Sequence, residues 1–208
     1  MRSLLPFGLV CITMGLWSLL GTHDVGVWAF EVLPLAAVLT IFVVRARRFR
    51  FTWLSYALLT WFFVIQCLGG RYTFAEVPFP RALLDSLGLI RNPVDRLGHF
   101  FQGFVPAIVL REWLIRRRGL HSGGTVFGLV TGCCLGFSAS YEVLEMATVL
   151  LCYPGAGPEW LGMQGDPWDA QWDMLMALAG AVIAQLLLSR WHDRLIAAAR
   201  STPAGPTG

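Results

Sequence analysis

The stretch VWAFEVLPLAAVLTIFVV followed by RARRFR, residues 27–50, decides the fold class. Glu31 is the one charged residue in its apolar part, residues 27–44. A helix over those residues rises about 1.5 Å per residue and so nearly matches the ~30 Å hydrocarbon core of a bilayer. Arg45, Arg47, Arg48 and Arg50 come next. An apolar span that ends in an arginine cluster reads as a transmembrane helix leaving the bilayer on its cytoplasmic side.

The pattern recurs in both directions. Spans are predicted over Leu4–Leu20, Val27–Val44, Thr52–Gly69, Leu97–Ile115, Thr125–Leu150 and Gln171–Ser189. The first is followed by Gly21-Thr22-His23-Asp24 without a small-x-small cleavage site, so it reads as an uncleaved helix rather than a signal peptide. Composition agrees: 56% of the 208 residues are hydrophobic, 14% are charged, and the mean hydropathy is +0.61. A soluble domain carries about a quarter charged residues. A disordered chain, a secreted disulfide scaffold and an ordinary soluble enzyme are therefore excluded. The expected fold is an all-α polytopic transmembrane bundle of six helices in one domain over residues 1–200, with a disordered tail over 201–208 (STPAGPTG).

All 16 basic residues are arginines. They alternate with the apolar spans instead of forming one basic face, so no nucleic-acid partner is expected. The expected partner is the lipid bilayer, and no protein partner is implied. Twelve arginines fall on one side (Arg2, the loop after the second span, Arg111 and Arg116–Arg118, and Arg190, Arg194 and Arg200) and four on the other (Arg71, Arg81, Arg91, Arg96). Both termini are thus expected in the cytoplasm of a multi-pass inner-membrane protein. None of the five cysteines shows CxxC spacing. Cys67 and Cys152 fall near one membrane face, where a disulfide is open but unsupported. Trp28, Trp160, Trp168 and Trp172 fit an outer aromatic belt; Trp53, Trp113 and Trp191 fit an inner one.

The acids run the other way. Only Glu112 and Asp193 fall on the arginine-rich side; the other eleven lie in the outer half, and the inner half of the spans shows few polar residues. Acidic residues contribute little to topology, so the outer excess calls for a separate cause. Counting from the cytoplasmic ends at 1.5 Å per residue places His99, Glu142 and Asp173 at about 24 Å, Gln66 at about 21 Å and Glu31 at about 20 Å. Glu145 sits one turn above Glu142 on the same face. A charge at the helix centre costs roughly 2.5–3.5 kcal/mol on insertion scales, so such groups face the bundle interior and pair. An outward-opening polar cavity on the periplasmic side, lined by His99, Glu142, Glu145, Asp173 and Glu31, is expected.

Two helix starts share a pattern, Asn92-Pro93-Val94-Asp95 and Asp166-Pro167-Trp168-Asp169. There the simplest reading of Asp95, Asp166 and Asp169 is helix capping. His99 and Asp173 lie one turn deeper and cap nothing. A histidine beside a carboxylate, joined by Glu142, Glu145 and Asp173, suits a divalent cation of the zinc, iron or manganese kind. It equally suits metal-free acid–base work by His99, Glu142 and Asp173. Pairing with Arg71 or Arg96 is the structural alternative. After the third span, Arg71 and Glu76 within GGRYTFAEVP form either a lid or an ordinary turn. Leu83, Leu84 and Leu87 of RALLDSLGL (81–89) share a helical face that suits the membrane interface. On the fifth span, Gly132, Gly136 and Ala139 read as a tight helix-packing face, and Ser138 and Ser140 lack a nucleophile elbow.

The segments GGRYTFAEVP (69–78), NPVDRLGHFFQGFVPA (92–107), SASYEVLEM (138–146) and QGDPWDAQWDM (164–174) resemble the YjdF family of bacterial inner-membrane proteins. The Asp-x-x-x-His helix start and acidic helices are more distantly similar to VanZ-like membrane proteins. The YjdF resemblance covers nearly the whole chain and implies a six-helix inner-membrane protein. It implies no reaction. Three functions stay open: a membrane enzyme acting on a lipid-linked or envelope substrate, a transporter or cation-binding protein, and a structural or assembly factor of the cell envelope.

Overall fold

A computed structural model describes residues 4–153, 155 and 161–201. Among these there are seven α-helices, two 3-10 turns and no strand. The helices are α1 (Leu5–Leu20), α2 (Val25–Arg45), α3 (Trp53–Tyr72), α4 (Arg81–Ser86), α5 (Val94–Arg117), α6 (Gly124–Cys152) and α7 (Asp169–Ser201). The expected tail over 202–208, together with Arg2, Glu159 and Trp160, lies outside the described residues.

Four helices, α2, α3, α6 and α7, are long and apolar enough to cross a membrane. The other two expected spans are also helical but differ in character. α1 is apolar with only 16 residues. α5 spreads polar residues along its length, because it is packed between α3, α6 and α7 and turns those residues toward protein. Its buried positions include Asp95, Gln102, Arg111 and Glu112 beside Val105, Ala107 and Ile108.

The tightest contact is between α5 and α7. A Cβ at Gly103 would fall on the Ala177 carbonyl, and one at Gly180 on the Phe100 carbonyl. Ala177, Ala181 and Ala184 are fully buried along the same seam. Small residues let two backbones approach, and in a membrane that van der Waals contact is a main source of helix association. Gly132 and Gly136 do not serve this purpose: a Cβ at either meets nothing within 4 Å. They lie on the outward face of α6, since the residues that α6 buries are Val126, Val130, Cys134 and Ser138.

Local chemistry accounts for the helix starts. Asp24 caps α2 by accepting from the Gly26 and Val27 amides at 2.7 and 3.1 Å. The Asn92 carboxamide oxygen accepts from the Val94 amide at 3.1 Å, and Asp166 accepts from the Trp168 amide at 3.0 Å. The parallel Asn-Pro and Asp-Pro starts thus form the same turn. Asp95, expected as a cap, makes no such bond and is turned inward. α4 is six residues long with Leu83 and Leu87 exposed. Cys67 and Cys152 are free thiols, one buried and one exposed. The Trp28 indole donates to the Ser18 hydroxyl at 2.9 Å and ties α2 to α1.

The α5–α7 seam yields a contrast. Gly103→Val and Gly180→Val are expected to destabilise by about 1–3 kcal/mol through overpacking, read as a fall in melting temperature in detergent. Gly132→Ala should leave it unchanged or raised, since alanine is the better helix former.

Candidate functional site

The polar layer converges at the acidic end of the bundle. α5 supplies Asp95 and His99 on one face, a turn apart; α7 supplies Asp169 and Asp173; α6 supplies Glu142. His99 Nε2 lies 3.7 Å from an Asp95 oxygen and 3.8 Å from an Asp173 oxygen. His99 Nδ1 lies 3.7 Å from a Glu142 oxygen and 3.0 Å from the Gln102 carboxamide oxygen. Both ring nitrogens therefore face oxygen atoms. One ligand atom each from Asp95, His99 and Asp173 fits within a 4.8 Å sphere of mutual distances. One Glu142 oxygen and one Asp173 oxygen are buried without a hydrogen-bond partner among the described residues. Buried acceptors left in that state cost free energy, so each such atom calls for a partner.

Glu31 joins one step removed. It accepts from the Tyr141 hydroxyl and the Gln66 carboxamide, both at 3.2 Å, and Tyr141 stands edge-on to the His99 ring. Glu145 lines the same small cleft, about 30 Å³ in volume, with Glu31, Gln66 and His99. That space holds a water or an ion and nothing larger. Glu145 is thus a wall of the cleft, whereas Asp95 replaces it in the group nearest His99.

Arg91, outside the expected set, closes the site from above. It reaches Asp169 at 2.7 Å, Asp166 at 3.3 Å and Asp95 at 3.4 Å. Burial disfavours its charge, but the Asp169 hydrogen bond and the charges of Asp169, Asp95 and Asp173 outweigh that and push its pKa above the ordinary arginine value. Arg96 pairs with Asp166 at 2.6 Å and lies over the Trp172 ring. Arg71, expected near the cluster, instead donates to the Trp17 carbonyl at 2.6 Å and rests on the Trp17 and Tyr72 rings. Glu76 is exposed. The cover over the cleft is the buried Phe74 ring between them. Gly69 and Gly98 accommodate that ring, since a Cβ on Gly69 would collide with it. Asn92 holds this 3-10 turn by donating to the Ala75 and Val77 carbonyls at 3.2 and 2.7 Å. Gln164 clasps the Asn92 backbone from both sides at 2.8 and 3.1 Å.

A second polar cluster lies at the arginine-rich end. Glu112 and His192 are fully buried, and Arg111 nearly so. Glu112 accepts from the Thr52 amide at 2.7 Å, the Thr52 hydroxyl at 2.8 Å and the Ser55 hydroxyl at 2.6 Å, and also from Arg116. His192 Nε2 lies 3.2 Å from the same carboxylate. Arg111 pairs with Asp193 at 2.6 Å and reaches Ser122 and His192 Nδ1. Because arginine only donates, His192 accepts at Nδ1 and donates from Nε2 to Glu112. The expectation that the inner half holds few polar residues is corrected here. Glu112 lies near the end of the expected span Leu97–Ile115 and Asp193 just beyond Gln171–Ser189, and counting charges assigns both to the inner surface. α7 runs on past Ser189, so His192 packs on Glu112 inside the bundle. The i, i+4 pair Glu112–Arg116 and the adjacent His192-Asp193 were the available signals.

The two clusters differ in kind. Every Glu112 oxygen has donors, so this end reads as a packing element. Glu112→Ala should cost about 3–5 kcal/mol, as removal of one partner from a buried charge network does. Asp193→Asn, which keeps an acceptor toward the buried Arg111 and whose own side chain is 40% exposed, should cost less, about 1–2 kcal/mol. Denaturant unfolding in mixed micelles separates the two.

The family profile described as "Predicted membrane protein (DUF2238)" matches residues 4–194. The chain is also similar to the "Inner membrane protein YjdF" of Escherichia coli (strain K12), 41% identical over 194 residues, which cover 92% of this chain and 90% of that protein. No solved structure matches it. The apolar helices, the extent of the profile match and this relative agree: the chain belongs to the DUF2238 family of membrane proteins, of which YjdF is a relative.

Proposed function

We propose that the protein is a six-span protein of the bacterial inner membrane with both termini in the cytoplasm, and that its acidic end, facing the periplasm, binds a divalent cation through Asp95, His99 and Asp173. The name of the relative supports the membrane assigned, and the arginine bias supports the orientation. Within this reading α1 is a short apolar span and α5 is the span whose polar residues are held by packing.

One observation carries the cation. His99 is surrounded by acceptors at both nitrogens, so with a proton on Nδ1 its Nε2 lone pair meets two carboxylates and needs a positive charge. Asp95, Asp166, Asp169, Asp173 and Glu142 outnumber Arg91 and Arg96 around it. Ligands about 2.1 Å from a tetrahedral zinc stand about 3.4 Å apart. The 3.7–3.8 Å separations at Nε2 are near that value. The mixed imidazole and carboxylate set suits zinc, iron or manganese. Glu142 and Gln102 orient the ring through Nδ1, as groups behind a metal-bound histidine do, and Arg91 balances the remaining carboxylates.

A cation held there would supply Lewis acidity or an activated water. Hydrolysis or transfer on a lipid-linked or envelope substrate is the reaction class this fits, with His99, Glu142 and Asp173 as the groups closest to the chemistry. Phe74 then has to swing aside, because the cleft as it stands is too small for an organic substrate.

Metal analysis of the purified protein tests the reading. About one zinc, iron or manganese per chain is expected, with a melting temperature that falls on chelation and recovers on readdition. His99→Gln and Asp173→Asn should lose both metal and recovery. A wild type that is metal-free and indifferent to added Zn²⁺ and Mn²⁺ would overturn the cation reading.

A further inference from the structure

A cavity of about 540 Å³ lies toward the arginine-rich end, and none of the residues of the acidic cluster lines it. α2 meets α6 at the acidic end, where Phe30 packs on Tyr141 with ring centres 5.3 Å apart and Tyr141 donates to Glu31. Toward the other end α2 leans on the start of α3 through Phe42 and Phe51, stacked at 4.7 Å, and parts from α5. This leaves a groove of about 540 Å³. Leu59 and Phe62 of α3 form its floor, Pro106 and Val109 of α5 one wall, and Val38 and Ile41 of α2 the other. Val38 and Ile41 are exposed, so the groove opens sideways to the bilayer.

Its only charged lining residues are Arg45, Arg48 and Arg117, at the ends of α2 and α5. All three are exposed and have no ion-pair partner among the described residues. Arg91, Arg96, Arg111 and Arg116, by contrast, all pair with carboxylates. Arginine matches a phosphate's oxygens with a planar fork of donors, and basic pockets between transmembrane helices take anionic lipid headgroups. A second groove, between α1, α2 and α3, is of similar size, about 400 Å³, and is lined by no charged residue. Charge therefore sets the first one apart.

We propose that the groove between α2 and α5 is a binding site for one anionic phospholipid of the leaflet that these arginines face. Arg45, Arg48 and Arg117 hold its phosphate, and an acyl chain lies along Leu59, Phe62 and Val109. The site is independent of the cation site and shares no residue with it. The lipid would close the gap between α2 and α5 that protein packing leaves open.

Native mass spectrometry of the full chain released from detergent tests this, with phosphatidylglycerol and phosphatidylcholine of identical chains titrated in parallel. The wild type should retain one phosphatidylglycerol in clear preference to phosphatidylcholine. Replacing all three arginines (Arg45→Gln, Arg48→Gln, Arg117→Gln) should remove the preference, at about fivefold in affinity per arginine. Arg47→Gln, in the same loop but outside the groove, should keep it. Val38→Trp, which fills the groove and leaves the arginines in place, should weaken both lipids. Equal retention of the two lipids, the same loss from Arg47→Gln, insensitivity to Val38→Trp, or a lipid-free dimer as the main species would each overturn the proposal.

Discussion

The close approach of α5 and α7 through Gly103 and Gly180 is the constraint on which the molecule depends. Lipid tails are as apolar as leucine side chains, so no hydrophobic gain drives helices together inside a bilayer. Backbone contact at small residues supplies the attraction instead. Once the two helices are held at that distance, polar residues on their facing sides are forced to meet above and below the seam. Asp95, His99 and Asp173 meet at one end; Arg111, Glu112, His192 and Asp193 meet at the other. Glu112 lies thirteen positions after His99 on α5, about 20 Å along the helix.

The two clusters resolve the cost of buried charge differently. Around Glu112 every acceptor oxygen has donors, drawn from α3, α5 and α7 together. Such a network locks three helices and leaves nothing over for a ligand. Around His99 acceptors outnumber donors, and two carboxylate oxygens stay buried and unmatched among the described residues. The surplus sits under a cover made by Phe74 and tied down by Asn92 and Gln164. A network built only for packing would be expected to satisfy its own members, as the Glu112 cluster does. That contrast within one bundle is the ground on which the proposed cation rests.

Much of this was legible from residues alone, for a specific reason. Depth in a helix is a matter of counting, because the rise per residue is fixed, so the sequence alone puts His99, Glu142 and Asp173 at one level. Whether helices at one level turn those residues toward each other is a matter of rotation, and counting does not supply it. Asp95 shows the gap: its position suits a cap, yet its side chain turns inward to His99 and Arg91. Arg71 shows the reverse, lying near the cluster in depth but held by Trp17 and Tyr72 on another flank. The glycines of α6 misled because spacing records a stripe without saying which side of the helix faces protein.

The sequence by itself determined that this is a helical membrane protein, which end is rich in arginine, and at what level its polar residues lie. These follow from hydropathy, charge and helix rise, all local properties read along one chain. Only the tertiary structure decided which of those residues share a pocket, that Glu112 and His192 form a second, buried one, and that α2 parts from α5 to open a groove. Each of these depends on the rotation and separation of helices far apart in sequence, set by a few glycine contacts that no local property of the chain encodes.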